Sequence, residues 1–522
     1  MRITPLNMSD NWPPQAAFFN LSPMCYFIRM GYEAVIGLEI HAELKTKTKM
    51  FCYSLNDPDE KHPNINICPI CMGHPGTLPI INEEAVKKVI MVGLALHGEI
   101  PEFSQFDRKN YFYPDLPKGY QISQYKHPLV SGGYLKIFDK KIKITRVHLE
   151  EDTGRLIHDK EAGSSLVDFN RAGVPLMELV TEPDFRSGEE VKKFGEELQK
   201  ILRYLKASDA NMEKGQMRVE VNISLREQPT TNNQQPTTDL GTKVEIKNIN
   251  SFKFAADAVD YETKRQAEIL EKGEKIKQET RGWNEFKKET FSQRSKEEAH
   301  DYRYFPEPDL PPLNLSREMV EELRAKLPEL PEIKRQRFLK EYRLEQDIIA
   351  ILVREKPLAD YFEEVVSELK QHDKETPEKP KKNLAKTAAA FLTGDFLRIL
   401  NEARAEISDI RISPENFGEL MLYVAEDKIS ALVAKSVLDE MFRTGEDPSE
   451  IIDRLGLWQI SDSSDLENIA RHILEENPQA AGDYKKGKEA SLQFLVGQVM
   501  KDTRGKANPK IVQEIIKKIL SS

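Results

Sequence analysis

The sequence predicts an α+β N-terminal domain built on an antiparallel sheet, followed by an all-α region that runs to the C-terminus. Three observations carry this. Period-two alternation at Tyr32–Leu44, Arg218–Arg226 and Thr242–Asn250 marks strands with one apolar and one polar face. Helical periodicity at Glu83–Leu96, at Ser187–Leu205 and from Phe254 to about Glu271 marks amphipathic helices. Beyond the proline-rich run Pro306–Pro312 strand signals stop and helical patterns dominate to Ser522.

Taken in order, residues 1–29 hold short apolar patches split by Asn20, Ser22 and Pro23, without a basic n-region or a small-residue cleavage site. They are expected to be a disordered extension, or the result of a start placed upstream of Met30. In Tyr32–Leu44 the residues Ile36, Leu38, Ile40, Ala42 and Leu44 share one parity, and Glu39, His41 and Glu43 the other. Lys141–Leu149 is a further strand whose parity slips between Ile144 and Val147, which predicts a bulge. Ser187 and Glu190 read as a capping box ahead of a stripe formed by Val191, Phe194, Leu198, Ile201, Leu202 and Leu205. The polar stretch Glu227–Asp239 predicts a mobile hairpin insert, and the charged, proline-bearing stretch Gln371–Lys382 a flexible joint. The resulting division is 30–312 for the α+β domain, 313–382 for a helical linker and 383–522 for a helical tail.

Hydrophobic residues make up 39% and charged residues 31%, which fits a soluble globular protein and excludes a disordered one. The net charge of -10 excludes a broadly basic nucleic-acid binder, so any RNA contact must come from local patches. Four cysteines in 522 residues do not form a secreted disulfide framework. No apolar run is long enough to span a membrane. There is no P-loop, no dinucleotide-binding glycine motif and no serine-hydrolase elbow.

Three segments could carry chemistry. Gly37–Glu43 (GLEIHAE) places three metal-capable side chains on one strand face, Arg146–Asp152 (RVHLEED) ends a strand in three acids, and Asn170–Glu178 (NRAGVPLME) is followed by Glu182 and Asp184. Adjacent acids repel unless a cation lies among them, and carboxylates with one imidazole suit Mg²⁺ or Mn²⁺. Alone, the first segment also reads as a solvated strand face and the second as a strand running out into an acidic turn. Cys68 and Cys71, with Cys52 upstream, read either as plain thiols or as a zinc site one ligand short, because residue 54 is Ser and His62 or His74 would have to complete it.

Several ordered segments resemble the B subunit of aspartyl/glutamyl-tRNA(Asn/Gln) amidotransferases. They are EAVIGLEIHAEL (33–44), DRKNYFYP (107–114), YQISQ (120–124), HLEEDTG (148–154), VDFNRAGVPLMELVTEPD (167–184), KVEIKNINSF (243–252), QETR (278–281) and HDYRYFPEPDL (300–310). LVGQVMK (495–501) and GKANP (505–509) extend the likeness to the tail. The resemblance implies a cradle-shaped catalytic N-terminal domain and a helical tail that binds tRNA. It implies a cytoplasmic ligase that phosphorylates the side-chain carboxylate of Glu-tRNA(Gln), Asp-tRNA(Asn) or both with ATP. Ammonia from a glutaminase A subunit would then form the amide, with a small C subunit completing a heterotrimer.

Carried over residue by residue, the resemblance places Mg²⁺ at Glu39, His41, Glu150 or Glu151, and Glu178. Catalytic roles fall to His41, Glu150 and Glu151. It places Lys247, Asn248, Asn250, Ser251, Arg294 and Arg303 near the ATP phosphates or the tRNA 3′ end. Lys485, Lys486, Lys488, Lys501, Arg504, Lys506 and Lys510 would give the tail its basic face. Many members hold zinc on four cysteines; here only Cys52, Cys68 and Cys71 remain beside Ser54, so no zinc is expected. Two other readings stay open, an RNA-binding scaffold without ATP turnover and a metal-dependent phosphohydrolase acting without tRNA.

Overall fold

The computed structural model describes residues 31–159, 161, 163–227, 240–295, 301–375, 383–459, 463–503 and 505–521. The expected extension 1–29, residues 228–239 of the expected insert, residues 376–382 of the expected joint, and Arg504 lie outside the described residues. The chain divides into two compact units, one running to Pro328 and the other Glu329–Ser522.

The first unit is α+β, as the sequence predicts. Its centre is the strand Tyr32–Glu43, in which Ile36, Leu38, Ile40 and Ala42 are all at most 1% exposed. Burying each such aliphatic side chain is worth roughly 1.5–3 kcal/mol, so the alternation locks the register of everything paired to this strand. On one side it pairs with Pro175–Thr181 and then Lys140–Glu151; on the other with Met217–Glu227, then Val244–Ile249, Glu279–Asn284 and Glu289–Ser295. The short strands Val130–Ser131 and Tyr134–Ile137 close the sheet against Lys140–Glu151, giving nine strands. Every pairing is antiparallel except Val244–Ile249 with Glu279–Asn284, a parallel pair joined through the helix Phe252–Glu271.

The bulge expected in Lys141–Leu149 is at Thr145: Val180 pairs with Arg146 and Thr181 with Ile144, leaving Thr145 unmatched. The bulge restores the buried parity for Val147 and Leu149, both 0% exposed. The capping box at Ser187 forms in altered shape. Ser187 accepts from the Glu190 amide, but the Glu190 carboxylate accepts from the amide of Arg186 rather than that of Ser187. The helices Gly188–Tyr204 and Phe252–Glu271 pack on each other behind the sheet.

In the second unit the described elements are helices. The helix Lys356–Glu375 runs through residues 371–375, where the flexible joint was expected to begin; Gln371, Lys374 and Glu375 are good helix formers that extend it. Leu466, Ile473, Leu495, Val499, Val512 and Ile516 build a separate core for the C-terminal helices. Lys485, Lys486, Lys488, Lys501 and Lys510 are exposed and Lys506 half-buried, with Lys488 held 3.0 Å from Asp483. Among the described residues no helix is long and apolar enough to cross a membrane.

The contact between the two helices behind the sheet depends on Gly188, where an added Cβ would lie 2.5 Å from the carbonyl oxygen of Ala256. Backbone cannot yield as a flexible side chain does. Gly188→Ala is therefore expected to destabilise the protein by about 1–3 kcal/mol in urea unfolding, and a variant as stable as wild type would contradict this close approach.

Candidate active site

Antiparallel pairing fixes which polar side chains meet. Arg218 stands opposite His41, His41 opposite Glu178, and Glu178 opposite His148, a row across four neighbouring strands. Directly paired residues share a sheet face, so the row lies wholly on the polar side. Glu39 stands opposite Glu220 in the adjoining row. These residues line a cavity of about 450 Å³ together with Lys109, Glu150, Asp152, Glu245, Lys247 and the tyrosines Tyr111, Tyr125, Tyr302 and Tyr304.

Two acidic groups share the cavity. In the first, ligand atoms of His41, Glu150 and Glu178 lie within 4.8 Å of one another. His41 Nε2 is 3.3 Å from Glu178 and 3.7 Å from Glu150. His148 Nε2 approaches the same carboxylates at 3.4 and 3.8 Å, while its buried Nδ1 has no partner. Ser123 Oγ donates to Glu150 at 3.1 Å. In the second group Glu39, Glu220 and Glu245 converge. Glu39 accepts from Asn222 at 2.9 Å, Glu245 from Thr280 at 2.8 Å, and Lys247 Nζ lies 2.9 Å from Glu220.

The electrostatics follow from crowding charge out of water. Burial disfavours the imidazolium of His148, yet Glu178 and Glu150 outweigh it and lift its pKa to about 9. Burial likewise opposes the charge on Glu178, but His148 and His41 hold its carboxyl well below the usual range. Burial works against Lys109 as well, and the Glu150, Tyr304 and Glu178 charges still raise it above an ordinary lysine. Glu39 is raised by its own burial and by Glu178 and Glu220. At the edge of the row Asp152 is held at 2.9 Å by Arg171 and at 3.2 Å by Arg218.

The structure separates residues that the sequence reading grouped. Glu150 and Glu151 are consecutive on a strand, so their side chains leave on opposite faces. Glu151 therefore falls on the side of Val147 and Leu149. There Lys118 clamps it and the Ile122 amide donates to it at 2.9 Å, outside the His41–Glu150–Glu178 group. Of the residues expected near phosphate, Lys247 lines the cavity. Ser251 caps the helix Phe252–Glu271, accepting from the Phe254 amide at 3.1 Å, and Asn250 donates to Glu285 at 2.8 Å. Asn248 is exposed at φ 60° beside a register shift, and Arg303 is exposed at φ 45°. The side chain of Arg294 lies outside the described residues. Cys52, Cys68 and Cys71 do come together, their sulfurs within 4.8 Å of one another.

Sequence reasoning missed His148, Lys109, Glu220 and Glu245. Arg218, Glu220 and Asn222 occupy the polar parity of a strand already recognised by its alternation, which was the available signal. Taken strand by strand, that parity is indistinguishable from a solvated face.

Such a site, carried on a mixed sheet and followed in the chain by a helical unit, makes this an α+β protein with clustered carboxylates and imidazoles in a sheet-face cavity. The family model described as "GatB/GatE catalytic domain" matches residues 34–321, and that described as "GatB domain" matches residues 360–520. The chain belongs to the GatB family. It is 48% identical over 496 residues to the B subunit of the aspartyl/glutamyl-tRNA(Asn/Gln) amidotransferase of Caldanaerobacter subterraneus subsp. tengcongensis, covering 94% of this chain and 100% of the relative. It is 47% identical over 498 residues to the protein of the same name from Dehalococcoides mccartyi, covering 94% and 99%.

Glu43, at the far end of the central strand, provides a pH test. Burial and the nearby Asp152 raise its carboxyl from 4.5 to about 7. A carboxyl raised in the folded state binds more protons there than in the unfolded chain. Its contribution therefore favours folding below about pH 4.5 and is lost as pH climbs to about 7. Glu43→Gln removes that titration, so wild type is expected to lose stability relative to the variant across this window in urea titrations. A difference independent of pH would contradict the raised pKa.

Proposed function

We propose that this chain is the carboxylate-activating subunit of a glutamine-dependent carbon–nitrogen ligase acting on aminoacyl-tRNA. The side-chain carboxylate of Glu-tRNA(Gln), Asp-tRNA(Asn) or both attacks the γ-phosphorus of ATP, ADP leaves, and ammonia then displaces phosphate from the acyl carbon. The observation that carries the reading is the cavity, also lined by Lys109, in which His41, Glu150 and Glu178 converge, in a chain whose relatives are named as subunits of amidotransferases for these tRNAs.

The donor set fits Mg²⁺: hard carboxylate oxygens of Glu150 and Glu178, one imidazole, and Glu39 in the adjoining group. When bound, the ion supplies charge neutralisation for phosphate oxygens. The remaining work belongs to side chains. Lys109 and Lys247 present ammonium groups to the cavity, where phosphate charge would be met by fixed cations rather than by water. Asp152 holds Arg218 at the cavity, orienting its guanidinium group for an anionic substrate, and is itself braced by Arg171. A carboxylate is a poor electrophile, and an acyl phosphate gives it a leaving group.

Ammonia would come from a glutaminase A subunit, with a small C subunit completing the assembly; the relatives, named as one subunit of a larger enzyme, support a multi-subunit reading. The exposed lysines of the tail are the surface offered to the tRNA, and the reaction belongs to the cytoplasm, where translation consumes its product.

The two neighbouring glutamates give a discriminating test. Glu150→Gln is expected to lower amidation by roughly 10²-fold or more, with ammonium unable to rescue it and the partner's glutaminase unaffected. Glu151→Gln instead leaves the half-buried Lys118 without its counter-charge and is expected to cost about 1–3 kcal/mol of stability. Wild-type amidation by Glu150→Gln at saturating ammonium would contradict the assignment.

A further inference from the structure

The three sulfurs beside the cavity do not suit zinc. A structural zinc takes four ligands, and the fourth neighbour here is the Ser54 hydroxyl, 3.9 Å from Cys71 Sγ. A cation is already present: Lys49, 0% exposed, brings its ammonium 3.8 Å from Cys71 Sγ. An ammonium and a metal ion compete for the same thiolate.

We propose that Cys68 and Cys71 are a thiol–disulfide couple, a modification site at which hydrogen peroxide closes an intrachain disulfide. Their sulfurs are 3.9 Å apart in a Cys-Pro-Ile-Cys turn, and the Cys68 amide donates to Cys71 Sγ at 3.1 Å. That amide and the Lys49 ammonium both favour a thiolate, the form that attacks. The Cys52 thiol hydrogen-bonds to the same sulfur and, against burial and with Lys49, brings Cys71 down to about 4. Cys71 is buried at 6% exposed, while Cys68 is half-buried and placed to resolve the product.

Atoms and electrons balance in two steps. Cys71 thiolate attacks one peroxide oxygen, the O–O bond breaks, and the departing hydroxide takes a proton to become water. Cys68 sulfur then attacks the resulting sulfenic sulfur. The S–S bond forms, hydroxide leaves and, with the Cys68 proton, becomes the second water. Two thiols are oxidised by two electrons and one peroxide is reduced to two waters.

The couple is linked to the cavity-lining Asp152 through hydrogen bonds. Lys49 also donates to the Phe169 carbonyl at 3.2 Å, and the Met50 amide to that of Gly173 at 2.7 Å. Gly173 in turn donates to the Asp152 carbonyl at 2.9 Å. Loss of the thiolate leaves Lys49 with the Phe169 carbonyl, on the loop that delivers Arg171 to Asp152.

The test uses the full chain, treated with hydrogen peroxide, alkylated after unfolding and digested. The expected product is a Cys68–Cys71 peptide two hydrogens lighter that dithiothreitol restores and that Cys68→Ser cannot form. In a second arm, Lys49→Met is expected to move the pH midpoint for alkylation of Cys71 upward by about one unit or more. Three results would overturn the proposal: both cysteines fully alkylated after peroxide, an unmoved midpoint in Lys49→Met, or about one tightly held zinc per chain in protein purified without added metal.

Discussion

The central strand Tyr32–Glu43 can bury Ile36, Leu38, Ile40 and Ala42 in only one register, and the rest of the site depends on that constraint. A slip of one residue would drive Glu39 and His41 into the core at a cost of several kcal/mol for each unpaired charge. Once the register holds, pairing carries the polar parity across neighbouring strands, and Arg218, His41, Glu178 and His148 align without any loop having to position them. Sites built on strands are held more rigidly than sites on loops, which suits phosphoryl transfer, where catalysis is largely positioning.

The same constraint crowds like charges together. Glu39, Glu150, Glu178, Glu220 and Glu245 line one cavity, and carboxylates this close repel unless cations lie among them. In the protein alone the compensation is local: His41 and His148 against Glu150 and Glu178, and Lys247 against Glu220. The compensating groups sit among the carboxylates that, on the proposed reading, would hold a divalent ion. Glu151 shows the contrast. It is clamped by Lys118 and by the Ile122 amide, apart from the His41–Glu150–Glu178 group.

Much of this was legible in the sequence because period two is a strong signal where one face is buried. The central strand and the bulge later found at Thr145 followed from strand parity, and the α+β division from parity together with helical periodicity beyond the proline run. What was not legible is register. Which residue of Met217–Glu227 stands opposite Glu39 is decided by packing in three dimensions, so nothing in the sequence singled out Glu220 and Glu245. Treating Glu150 and Glu151 as one pair neglected the alternation that had located the strand. Ser251, expected near phosphate, also caps a helix, where its hydroxyl accepts from the Phe254 amide.

The central claim is that the row of imidazoles and carboxylates holds a divalent ion. Mn²⁺ titration followed by electron paramagnetic resonance tests it most directly, since Mn²⁺ accepts the same ligands as Mg²⁺ and its free form is read from the signal. Wild type is expected to bind Mn²⁺ in this cavity, and His41→Ala and Glu178→Gln are each expected to weaken binding by about 10–100-fold. Equal affinity in wild type and both variants would contradict the account.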